Sequence, residues 1–151
     1  VTLDELEALG RQAANDLLQR EGRPVPPAVV VPAHDATRVL TLPELPDAED
    51  ARRQALAELA QRELRPRNAS CYGFVAEGLV DEGGVDVEAV VLVYGARAHH
   101  PRVTAAALGD DGLGAFAVAE ALDHAAMPFL APLQEAVDAA GPPDVMDPAA
   151  L

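Results

Sequence analysis

Lys, Ile and Trp are missing from this chain altogether, and it holds a single cysteine, Cys71. The scarcity of cysteine excludes an internal disulfide and any zinc site built on several thiolates. Cys71 itself sits inside an apolar run, where a buried, inert thiol is the usual outcome. Aromatic residues are few: Tyr72, Phe74, Tyr94, Phe116 and Phe129. The core must therefore be built mainly from Ala, Val and Leu, which calls for close packing between elements. No apolar stretch approaches the roughly 20 residues needed to span a bilayer as a helix, so no membrane partner is expected. Cations are also scarce, 11 against 25 acids, giving a net charge of −14. Nucleic-acid binding needs a cationic footprint. The Arg residues here are scattered or interleaved with Glu, so no nucleic-acid partner is expected.

Half of the 151 residues are apolar, enough for the core of one domain, and residues 1–151 read as a single domain with 141–151 as a flexible tail. Lys and Ile use AT-rich codons, so their absence beside abundant Ala, Arg, Val and Pro fits the coding bias of a high-GC bacterium. The opening VTLDELEALGRQ is acidic and amphipathic. A signal peptide is cationic and then apolar, so a cytoplasmic protein is expected.

Thr2 and Glu5 form a capping-box pattern, and Leu3, Leu6, Leu9, Ala13 and Leu17 recur at helical spacing. This predicts a helix over 3–21, closed by Gly22. RPVPP then makes a stiff break. AVVVPA and RVLTLP, joined by His34, Asp35 and Ala36, predict a short hairpin. A second helix is expected from Asp47, its candidate N-cap, to Pro66. Ala48, Ala51, Ala55, Leu56, Leu59 and Leu64 would form its apolar side. Glu49–Arg53 and Glu58–Arg62 are spaced for ion pairs along it.

Three apolar runs follow, ASCYGFVAEGLV, VDVEAVVLVYGAR and RVTAAAL, separated by DEGG and AHHP. They predict consecutive antiparallel strands. In the first, Tyr72, Phe74 and Ala76 should share one face, and Cys71, Val75 and Glu77 the other. In the second, the face holding Asp86, Glu88, Val90, Leu92 and Tyr94 turns from acidic to apolar. That strand should enter from solvent and become central, buried on both sides. Residues 113–124 suit a strand or a helix, and two glycines at the start favour a strand over 114–120. PFLAPLQEAVDAAG reads as a closing helix, with Pro132 delaying its start. The expected fold is α+β, in the order α-β-β-α-β-β-β-(β)-α. Its antiparallel sheet has about five to six strands, with the helices packed on one face.

Chemistry is sparsely marked. His34 with Asp35, Glu77, His99, His100, Asp110 and Asp111 are the residues with metal-ligand chemistry near strand ends or loops. The run YGARAHHP followed by the paired Asp resembles the His-x-His-Pro and downstream Asp of the JAMM metalloprotease family. That resemblance implies a metal-dependent hydrolase in which His99 or His100 and Asp110 or Asp111 hold zinc. Glu77, on an earlier strand, would activate water. The two His are adjacent here, however, and point oppositely on extended backbone; no Ser stands between the His-Pro and the Asp. The plainer role for Glu77 is an ion pair with Arg97 or Arg102. Ser70 lacks a Gly-x-Ser-x-Gly elbow, and GLG at 112–114 lacks the length and Lys of a phosphate loop. No cofactor is expected.

With no catalytic constellation legible, the leading expectation is a binding or assembly module, and the alternative is the metal-dependent hydrolase. The Ala-rich stretch at 104–107 would support a homodimer if it lay on a sheet edge. An apolar, acid-rimmed cleft between the sheet and the last helix would suit a small molecule.

Overall fold

The first helix begins where its cap predicts. In the computed structural model, which describes residues 2–33, 36–123 and 125–141, α1 spans Leu3–Glu21. The Thr2 hydroxyl accepts the Glu5 N–H at 3.1 Å, and Gly22 ends the helix at φ +72°. Two short strands follow, β1 (Ala28–Val31) and β2 (Arg38–Thr41), paired antiparallel. The expected turn residues His34 and Asp35 lie outside the described residues. Helix α2 covers Glu49–Leu59 and runs into a π-helical turn over Ala60–Leu64. Pro66 has no N–H to continue the ladder, which stops at Arg65. The residue at the N-cap of α2 is Ala48, not Asp47, and it makes no side-chain cap. Nor do the expected ion pairs within α2 form. Arg53 reaches Glu135 instead, at 3.6 Å, and Arg62 reaches Glu63.

The middle of the chain is an antiparallel meander of β3 (Cys71–Glu82), β4 (Val85–Ala96) and β5 (His99–Gly109). Gly83 and Gly84 make the first turn with φ of +62° and +85°, the double positive φ that a two-residue hairpin loop of type I′ requires. The ambiguous segment is extended. It supplies two short strands, β6 (Gly112–Phe116) and β7 (Glu120–Ala121), that take up successive parts of one edge of β5. The sheet order is β2-β1-β3-β4-β5-β6, with β7 also on β5. A short 3-10 turn, Pro128–Leu130, leads into α3 (Ala131–Asp138), so Pro132 does set the late start of the last helix.

The α+β class and the element order hold, but the helices do not share one face. Alternation along β3 and β4 divides the core into two layers. Tyr72, Phe74 and Val93 pack with Leu56, Leu59 and Leu64 and with Phe129, Leu130 and Leu133, so α2, the π turn and α3 cover one face. Cys71, Val75, Val90, Leu92 and Tyr94 pack with Leu6, Ala13, Ala14 and Leu17, so α1 covers the other. The reason is visible in the strands: a run apolar on both faces needs cover on both faces. Burial pushes the Cys71 thiol up to about 11, beneath α1, as suits an inert cysteine. Burial and a 2.5 Å hydrogen bond to Glu7 push the Tyr94 hydroxyl up to about 12.

The end of the chain expected to be loose is pinned at its first residue. The Gly141 N–H donates to Asn68 Oδ1 at 2.8 Å, and residues 142–151 lie outside the described residues. Asn68 has φ +53°, a left-handed conformation that Asn tolerates better than most residues.

Glu63, on the π turn, accepts from Arg38 of β2 at 3.1 Å and from Arg67 at 2.8 Å. Burial pushes its carboxyl up. The hydrogen bond and charge of Arg38, helped by Arg67, outweigh that and hold it below the ordinary 4.5. A depressed folded pKa means the stabilisation is complete above the ordinary value and is lost as pH falls through the folded one. Urea denaturation should therefore show wild type more stable than Glu63→Gln at neutral pH, with the gap closing in acid. A gap independent of pH contradicts this link.

Candidate functional site

The residues singled out for metal chemistry are kept apart. His99 and His100 are not in the turn but open β5, while Asp110 and Asp111 follow its last residue. Ten strand residues at about 3.3 Å each put roughly 33 Å between the two pairs. Glu77 sits on β3 opposite Val90, and Val90 is opposite Ala106, so it too lies several residues along the sheet from the His pair. His99 Nδ1 is 2.9 Å from the Arg97 carbonyl, and His100 Nε2 is 2.7 Å from the Leu122 carbonyl. The two rings thus face different partners. Among the described residues no three His, Cys, Asp or Glu side chains gather as a metal site would require. His34 and Asp35 lie outside the described residues.

Glu77 is paired, but with neither Arg97 nor Arg102. Its Oε1 accepts from Arg23 Nε at 3.4 Å and from the Val25 N–H at 3.3 Å, while Arg23 Nη2 reaches Glu88 at 2.6 Å. Hydrogen bonds donated to Glu88 and then to Glu77 hold the Arg23 pKa above its ordinary value. This carboxylate pins the stiff segment from Arg23 to Pro27 against the sheet. Pro24, Pro26 and Pro27 have no N–H, so Val25 alone among residues 24–27 offers one, and Glu77 takes it.

That segment also explains a broad concavity. The β1 ladder on β3 ends with Ala28 opposite Val75, and Pro26 and Pro27 cannot extend it. Beside the edge of β3 past that point lies a trough of about 720 Å³, within the roughly 300–1,000 Å³ typical of small-molecule sites. Its floor is the α2–α3 face of the sheet, with Phe74, Ala76 and Gly78 of β3 and Val91 of β4. Leu45, Met127, Phe129 and the prolines also line it. Among the described residues Glu44 and Glu77 are its acids and Arg52 its one cation. Gly78 leaves its part of the floor open, since a Cβ there would meet no atom within 4 Å. A second cavity, about 140 Å³ between Tyr72, Leu122, Leu130 and Gln134, lies under α3 and is too small for more than a few atoms.

Arg52 is the residue that sequence reading passed over. It rises from α2 half-buried, its Nε donating to the Pro46 carbonyl at 2.6 Å and its guanidinium 5.5 Å from the centre of the Phe129 ring. One signal was available: Ala48 and Leu56 stand four residues either side, so Arg52 lacks the four-apart acid that Arg53 and Arg62 have in sequence.

The route to a dimer through 104–107 is closed, because β5 is interior. Beyond β4 it pairs with β6 and β7, the Ala117 N–H donates to Ala105, and Thr104 Oγ1 donates to the Ala117 carbonyl at 2.6 Å. Among the described residues no helix is long and apolar enough to cross a membrane. Comparison of the chain with protein-family models, curated proteins and solved structures gave no match.

Proposed function

We propose that this protein is a binding module that takes a small, largely apolar molecule in the trough between the sheet, α2 and the 3-10 turn. One observation carries the reading. A roomy concavity is floored by Phe74, Ala76, Gly78 and Val91, with an uncovered position at Gly78. Burying apolar surface drives such binding at about 25 cal/mol per Å². The few polar groups at the rim, Glu44, Glu77 and Arg52, would orient what enters.

A neutral fluorescent probe, N-phenylnaphthylamine, tests this. Wild type should take it up saturably at one molecule per chain. Gly78→Leu projects an isobutyl group into the open space and should weaken uptake by about tenfold or more, given the apolar area it displaces. Circular dichroism would verify that the variant keeps the fold. Non-saturable uptake, or equal uptake by the variant, removes the trough as the site.

A further inference from the structure

We infer that the trough is shaped for an amphipathic anion, an apolar body ending in a single carboxylate, and that Arg52 receives the head group; this rests on the trough being a ligand site. Among the described residues Arg52 is the only cation lining it. Its orientation is already fixed from two directions, by the Nε–Pro46 hydrogen bond and by the ring of Phe129 beneath the guanidinium. The terminal nitrogens keep their donors, and among the described residues no carboxylate lies within ion-pair reach of them. Arg23, Arg38, Arg53 and Arg67, by contrast, are each engaged by a Glu. In a chain with 25 acids and 11 Arg, a half-buried guanidinium that lines an apolar trough without an acid partner is a receptor for an outside carboxylate.

The rest of the molecule pulls the other way. Glu44 lines the same trough, and the net charge of −14 repels any anion at long range. Glu77 is compensated locally by Arg23. The two influences predict opposite ligand rankings, because the global field favours a cationic head and Arg52 favours an anionic one. Added salt screens the field over roughly 10 Å and should strengthen capture of the anion, the reverse of ordinary ion pairing.

Displacement of the neutral probe by decanoate, decanol and decyltrimethylammonium separates these effects, since the three share a chain and differ in the head. Wild type should prefer decanoate to decanol by about tenfold or more, the ordinary gain from a charge-assisted pair. Arg52→Gln should erase that preference and leave decanol unchanged, and Arg52→Lys should restore part of it. Equal affinity for decanoate and decanol in wild type, a preference for the ammonium, or a carboxylate preference that survives Arg52→Gln would each overturn the assignment. The ranking in wild type needs no variant to fold. If decanol displaces the probe but decanoate shows no advantage, the trough stands and only the anion is lost; if none of the three displaces it, both fall.

Discussion

Phe74→Ala should lower folding stability by about 3–5 kcal/mol, the usual cost of removing a fully buried aromatic side chain. Phe74 is 0% exposed at the centre of the α2–α3 layer. Its ring meets Phe129 edge to face, with centroids 5.9 Å apart and planes at 75°, a geometry worth about 0.5–1.5 kcal/mol beyond area burial. Phe129 in turn carries Arg52 on its face, so the same change should loosen the guanidinium and weaken decanoate capture more than decanol capture. Denaturant titration measures the first effect and probe displacement the second. A loss below about 1 kcal/mol would show that the layer collapses around the cavity at little cost.

Gly95→Ala should cost about 2–4 kcal/mol, from overpacking and from carbonyls left without donors. Gly95 is buried on β4, where an added Cβ would lie 2.5 Å from Gln134 Oε1 and 2.8 Å from the Tyr72 ring and hydroxyl. Tyr72 is fully buried, and the methyl group would press on its ring. Gln134 could swing away only by giving up the Ala96 carbonyl at 2.9 Å, the His99 carbonyl at 3.2 Å and Asp138 at 3.0 Å. Those bonds hold α3 over the turn from β4 to β5. At that turn Ala98 sits at φ +60° and donates its N–H to Asp138 at 2.9 Å. Truncating Gln134 makes room for the methyl group, so Gly95→Ala should cost less in a Gln134→Ala background than in wild type. A single variant within about 0.5 kcal/mol of wild type would mean that Gln134 does not lock this corner.

Local order was legible wherever its cause lies within a few residues. Thr2 and Gly22 delimit α1 because a hydroxyl and a residue free to take positive φ act on the nearest turn. Gly83 and Gly84 close β3 onto β4 because only such a pair adopts the tight loop cheaply. Misreadings arose where local chemistry permitted two outcomes. Asp47 and Ala48 could each precede the helix, and the one that does, Ala48, offers no side-chain cap. His99 and His100 look like turn residues, yet Arg97 and Ala98 make the turn and put both rings on a strand.

The polypeptide's own pattern determined the α+β class, the order of helices and strands, and the division of β3 and β4 into two apolar faces, because residue periods of 3.6 and 2 act without distant partners. Tertiary structure alone decided that α1 lies across the sheet from α2 and α3, and that Glu77 meets Arg23 from 54 positions away. It also decided that the His and Asp pairs stand at opposite ends of β5 and that Arg52 faces an apolar trough. These depend on which strand edges pair and where prolines end the pairing. Such contacts join residues far apart in the chain, and no spacing along it records them.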